Sequence, residues 1–339
     1  MAISPMGLED PADEVDPAPR RGRAGGGIAG RSPFQLAMEQ LRSDRVAMVC
    51  VYVIAFFLLV AIFAPLICKA WGVDTHTLSS DDLLSMTNAS GMPTVGPPYN
   101  GFSWSHPLGL APITGKDNLA QWVYGARTSI SIAVISAVVA TLLGIVVGLV
   151  SGFSRGWVDN VVSWVIDLFL SLPFLVVALA VTPILVIRFG QNATALEYSQ
   201  FIALLVILST FGWMPLARLI RGEVLSLRER EFVLAARAIG VPTRTILRKE
   251  LLPNLVAPII VSISLGIPAF VSAEAGLAYL GVGVTNMPSW GQQINKGVSY
   301  FDTYPLYLWA PVAGLLTLVV ALNLLGDSIR DAFDPKTRR

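Results

Sequence analysis

Between Arg45 and Lys69 the chain reads VAMVCVYVIAFFLLVAIFAPLIC, residues 46–68, with no charged side chain. A helix needs about 20 apolar residues to cross the hydrocarbon core of a bilayer, so this stretch alone points to a membrane span. Working outward, five more stretches share its character. They lie between Arg127 and Arg155, between Asp159 and Arg188, from Tyr198 to Ala217, from Pro253 toward Lys296, and from Thr303 to Gly326. The third contains one acid, Asp167, and the fifth one acid, Glu274. These runs predict an all-α membrane protein with six transmembrane helices.

Composition agrees with this reading. Of 339 residues 54% are hydrophobic and 14% charged, against about 25% charged in soluble domains. A net charge of +1 argues against a nucleic-acid partner held by bulk positive charge. Cys50 and Cys68 stand at opposite ends of the first run, about 27 Å apart at helical rise, so they cannot pair within one helix.

Orientation follows from the basic residues, which concentrate on cytoplasmic loops. With a cytoplasmic N-terminus, the inner segments hold 19 Lys and Arg and the outer segments five: Lys69, Lys116, Arg127, Arg188 and Lys296. Both termini are therefore expected inside. Residues 1–30 are rich in Pro, Gly, Ala, Asp and Arg and are expected to be a disordered cytoplasmic tail. Residues 31–69 read as an amphipathic helix lying on membrane lipid, with Phe34, Ala37, Met38 and Leu41 on one face, feeding the first span. Residues 70–124 form the long outer loop, with irregular structure ending in a short helix from Asp117 to Tyr124. Residues 125–327 carry the other five spans, and residues 328–339 a second inner tail. Trp104, Trp122 and Trp290 suit an interfacial belt. Asn88-Ala89-Ser90 and Asn192-Ala193-Thr194 match a glycosylation pattern too short to carry weight.

No energy source is visible in the chain. Gly109…Gly115-Lys116-Asp117 is one residue too long for a phosphate loop, and Asp stands where a magnesium-holding Ser or Thr is needed. His76 and His106 share the outer loop, and no Cys/His cluster has metal spacing. The spans contain two acids and no base, which is poor equipment for an ion-coupled carrier. A membrane enzyme would need a convergent nucleophile–base or metal set, which the sequence lacks. No catalytic residue, cofactor or metal site is therefore expected, and any driving force must come from another subunit.

The inner loop of residues 218–253 is the most informative segment. From Ala217 it reads ARLIRGEVLSLREREFVLAARAIGVPTRTILRKELLPN. The pattern is helical through Ala238, stops at Gly240, which can take the left-handed conformation freely, and restarts over Thr243–Glu250. Leu252-Pro253 marks re-entry into the bilayer. Two short helices joined by a glycine would protrude as a compact knob.

Here the sequence resembles the permease subunits of bacterial ABC importers. Ala235-Ala236, three residues, Gly240, eleven residues and Leu252-Pro253 match their "EAA" loop, with Leu234 in place of the family's Glu and Glu231 one turn earlier. The run Gly222–Glu231 is similar to the dipeptide/oligopeptide (peptide/nickel) subgroup. Gly125-Ala126-Arg127-x-Ser129, Gly156-Trp157-Val158-Asp159, Pro288-Ser289-Trp290-Gly291 and Asn323-Leu324-Leu325-Gly326-Asp327 follow in the same order. The likeness covers about residues 33–336 and is narrowest to the second permease of a peptide importer.

The resemblance implies the type I importer permease fold in a bacterial plasma membrane. It implies a homologous second permease, two ATPase subunits that bind ATP and magnesium, an extracytoplasmic binding protein and a peptide substrate. Glu231, Phe232, Ala235, Ala236, Arg237, Gly240, Leu252 and Pro253 would form the ATPase-coupling site. Phe232, Ala235 and Ala236 would be its packed face, and Arg228, Glu229, Arg230, Glu231 and Arg237 rim ion pairs. Glu274, placed near the outer surface by helical rise, and Asp167 are candidates for a pathway or gate. Close relatives of the same pattern import nickel chelates, haem or other small solutes, and an ion-coupled carrier is the rival from another class.

Overall fold

The computed structural model describes residues 33–75, 86–88, 90–96, 103–154 and 156–334. The expected N-terminal tail, His76 and the last five residues lie outside the described residues. Among the described residues the regular elements are helices, and strand pairing is limited to isolated bridges, Thr87 with Pro93 and Leu110 with Asp117. Among the described residues five helices are long and apolar enough to cross a membrane, or six if one bent pair counts as a span.

Helix α1 (Pro33–Ser43) is the expected amphipathic helix. Its Ala37 is buried, and its Phe34 ring lies 6.4 Å from Phe333, so it packs on the C-terminal helix. Asp44 then caps α2 (Arg45–Ile62): one carboxylate oxygen accepts the Val46 amide at 2.9 Å. The other accepts the Ser328 hydroxyl at 2.8 Å, which with the amides holds this carboxyl below its usual range. The first apolar run is not one helix. It breaks at Phe63, and Pro65, which lacks an N–H and suits a first turn, opens α3 (Ala64–Trp71).

The second span is longer than the apolar run suggested. Helix α4 (Asn118–Phe153) has 36 residues and absorbs the separate short helix expected over Asp117–Tyr124. No proline interrupts residues 118–153, and the Asp117 carboxylate caps the start by accepting the Ala120 amide at 2.8 Å.

The third span is not one straight helix. It comprises α5 (Trp157–Ser171) and α6 (Phe174–Phe189), bent by 76°. Pro173 is the cause, because its ring pushes the preceding residue out of the helical region. Leu172 accordingly sits at φ −78°, ψ 130°.

The fourth span, α7 (Ala193–Leu227), is capped by the Asn192 side chain and is 35 residues long. It packs along α4 on a stripe of small residues, Gly144, Gly148 and Gly152. A Cβ on Gly148 would lie 2.8 Å from the Ala217 carbonyl and 2.7 Å from the Ile220 Cβ; Gly144 and Gly152 meet Trp213 and Arg221 backbone in the same way. Glycines four apart let two backbones approach where lipid supplies no hydrophobic drive between helices.

The helical pattern read through Ala238 is broken at Arg228–Arg230, and α8 (Glu231–Ala238) starts afresh. A short turn, α9 (Thr243–Thr245), runs into a π-helical turn, Ile246–Leu251, and directly into α10 (Leu252–Tyr279). Pro253 explains the wide turn. It has no N–H, and its ring clashes with the carbonyl four residues back in a regular helix. The Asn254 side-chain amide donates to the Glu250 carbonyl at 2.6 Å, serving an acceptor in the disturbed turn. Helix α11 (Trp290–Val298), capped by Ser289, precedes α12 (Pro305–Phe333). That last helix continues into the expected inner tail.

Candidate coupling site and translocation cavity

Helix α8 ends in a Schellman motif. The Gly240 amide donates to the Arg237 carbonyl and the Val241 amide to the Ala236 carbonyl, each at 3.0 Å. The closing residue must take positive φ, and Gly240 stands at φ +77°. Val233 is fully buried and, with Ala236 and Val241, packs on Ile220, Ile246, Leu251 and Leu255. The short helix is thus fastened to the ends of α7 and α10. Phe232, Leu234, Ala235 and Ile239 are left exposed, Ile239 by 80%.

The structure re-sorts the expected site. Phe232, Ala235 and Glu231 face outward, whereas Ala236 is turned inward and half-buried. Arg237 stacks over the Phe153 ring, 4.4 Å from its centroid. Arg228 donates to the carbonyls of Gly152 at 3.0 Å and Ser154 at 3.3 Å, so it caps α4 and also contacts Glu229 at 3.2 Å. Leu252 is half-buried against the same core, and exposed Pro253 shapes the π-turn. Ile239 was missed. It lies seven residues after Phe232, on the same helical face, and the spacing was legible once the helix start was known.

Within the membrane region, α4, the α5–α6 bend, α7 and α10 enclose a cavity of about 630 Å³. Its walls include Ala140, Phe169, Phe174, Phe211, Pro215 and Phe270, and no lining residue is charged. The Phe211 ring sits 5.5 Å from Phe174 and 6.2 Å from Phe169, edge-on to both. Gly266 also lines the space, and Pro173 produces the bend that opens it.

Two ion pairs join α5 to α7. Asp159 and Arg221 make a two-pronged contact at 2.6 and 2.9 Å. Asp167 pairs with Arg218, so this acid has a base beside it, which the span boundaries drawn from sequence had hidden.

Glu274 stands near the C-terminal end of α10 and is closed over by protein. It is 1% exposed because α11 folds back over α10; at Gly291 the approach to the Ala275 carbonyl leaves no room for a Cβ. The Glu274 carboxyl bonds to Ser129, whose hydroxyl accepts the Trp290 amide at 3.3 Å. Among the described residues its second oxygen has no hydrogen-bond partner. Trp290 is equally a core residue, not an interfacial one: it is fully buried, donates from its indole to the Trp122 carbonyl at 3.0 Å, and meets Phe57 edge-on at 5.5 Å. Glu274→Gln keeps the size of the side chain and its link to Ser129. It is expected to retain uptake within about threefold, whereas Glu274→Ala leaves Ser129 short of a partner at a cost of about 1–3 kcal/mol. Thermal midpoints and uptake rates of the two variants check this; a tenfold loss in Glu274→Gln would restore a gate role.

Residues 144–339 match the family described as the binding-protein-dependent transport system inner membrane component, more than half of the chain. The chain belongs to this family. Residues 32–83 of the permease match the N-terminal TM domain of oligopeptide transport permease C. The dipeptide transport system permease protein DppC of Alkalihalophilus pseudofirmus is 32% identical over 308 residues, covering 91% of both chains. The oligopeptide transport system permease protein OppC of Escherichia coli K12 is 32% identical over 312 residues, covering 92% of this permease and 94% of that chain. An inward-facing structure of the MetNI methionine ABC transporter superposes with a TM-score of 0.48 at 20% identity, covering 64% of the permease and 97% of that chain. The permease is thus a multi-pass inner-membrane transport subunit, all-helical as the apolar runs predicted.

Proposed function

We propose that the permease forms half of the translocation path of an ATP-driven importer of di- and oligopeptides. It would pair with a homologous second permease, two ATPase subunits that bind ATP and magnesium, and an extracytoplasmic binding protein, with both termini in the cytoplasm. The observation that carries this reading is α8: a short helix, fixed to two spans through Val233, that presents Phe232, Ala235 and Ile239 to a partner. Eight of the chain's 24 basic residues fall between Arg218 and Lys249, which supports an ATPase-facing position for this knob. A rigid element fastened to α7 and α10 transmits ATPase closure as a rigid-body shift of those spans. The cargo class rests on the dipeptide and oligopeptide relatives.

Proteoliposomes holding all five polypeptides are expected to accumulate radiolabelled trialanine only with internal-face ATP and magnesium. Omitting the ATPases or the binding protein should reduce uptake to background. Accumulation by the permease alone would overturn the reading in favour of an ion-coupled carrier, and accumulation of nickel chelate or haem but not peptide would redirect the cargo.

A further inference from the structure

The Asp167–Arg218 pair occupies an unusual place. On α5 the cavity is lined by Phe169 and Leu170, and on α7 by Pro215 and Leu216. Asp167 precedes Phe169 on α5 and Arg218 follows Leu216 on α7, so with the termini inside both lie on the cytoplasmic side of the lining, and the pair stands at the inner mouth of the cavity. The neighbouring Asp159–Arg221 pair is clamped between the helices, with 18% and 31% of the side chains exposed. Asp167 and Arg218 are 63% and 54% exposed.

Asp167 is about 15 Å along α5 from Trp157 at helical rise, and Arg218 opens the inner loop, so the pair stands at the inner end of the spans. Charges at that level turn toward water rather than lipid. The exposed side of this pair therefore faces the water at the inner mouth of the cavity, where cargo leaves the apolar passage. An ion pair this open is worth less than about 1 kcal/mol, so a competing partner displaces it cheaply.

We propose that Asp167 and Arg218 form a charge gate that a zwitterionic peptide opens with its own termini. This rests on the peptide-permease reading above. The peptide α-carboxylate takes the place of Asp167 on the Arg218 guanidinium, whose planar fork suits a carboxylate. The α-ammonium takes the place of Arg218 on Asp167. Each charge exchanges one partner for another, so neither is left bare at the end of an apolar passage, where an unpaired charge is costly. The phenylalanine walls meanwhile accept side chains of any apolar shape. Without cargo, the two residues close on each other and seal the mouth.

The test compares trialanine with trialanine amide, which lacks the carboxylate, in proteoliposomes of the complete transporter. Each peptide is supplied at a concentration that saturates the binding protein, set by titrating that protein in isolation. Wild type is expected to move trialanine at least tenfold faster than the amide. Arg218→Gln should slow trialanine at least tenfold, leave the amide little changed and bring the ratio near one, while Arg218→Lys retains part of the preference. Asp167→Asn should erase the discrimination against N-acetyl-trialanine in the same way. A free-to-amide ratio that stays at the wild-type value in Arg218→Gln, even with lower rates for both, would mean a merely structural pair and overturn the gate. Wild type that moves no trialanine would overturn the peptide reading itself.

Discussion

Gly148→Leu is expected to leave almost no assembled permease. A Cβ at Gly148 already falls 2.7 Å from Ile220 and 2.8 Å from the Ala217 carbonyl, and the second of these is backbone that cannot swing away. Leucine would force α4 and α7 apart over the whole stripe, unseating Gly144 and Gly152 from their contacts as well. Overpacking typically costs about 1–3 kcal/mol, and three linked contacts place this site at the upper end. The yield of monodisperse protein on gel filtration should fall at least tenfold, with a lower thermal midpoint in what survives. Gly222→Ala is the control: nothing lies within 4 Å of its added Cβ, and alanine is the better helix former by about 1 kcal/mol. A wild-type midpoint for Gly148→Leu would show that the helices do not meet as described.

Gly240→Val is expected to abolish ATP-coupled uptake while the subunit still reaches the membrane. An added Cβ meets no neighbour within 4 Å, so the main effect lies in the backbone, held at φ +77°. A left-handed conformation costs an L-residue about 1–2 kcal/mol, and a β-branched side chain is among the least tolerant of it. Relief comes by opening the Schellman turn, which re-aims α8 away from the direction set by Val233. Uptake is expected to drop more than tenfold, with the permease–permease contact retained on gel filtration. Ile239→Asp should do the same without touching the turn, since its 80% exposure leaves only the partner to feel the change. Normal uptake in both variants would remove α8 from the coupling role.

Particular residues show how far the chain could be read in advance. The run from Val46 to Ile67 announced a span because apolar length is a local property. Gly240 announced a helix end because only its own φ was at stake. Asp167 and Arg218 were another matter. They are 51 positions apart, and nothing local says that α5 and α7 lie side by side; the acid looked solitary within its run. The burial of Glu274 was hidden for a related reason. Helical rise measures distance along an axis and knows nothing of α11 folding back over it.

The number of spans, the all-helical class, the bias of basic residues to one side and the knob at Phe232–Gly240 were written in apolar run length, charge placement and turn chemistry, each a matter of a few neighbouring residues. The inward turn of Ala236, the burial of Trp290 and Glu274, and the meeting of Asp167 with Arg218 were decided only by packing. Each depends on which helix lies against which, and that is set by small residues such as Gly148, which meets Ala217 and Ile220, and Gly291, which meets Ala275 and Ala278.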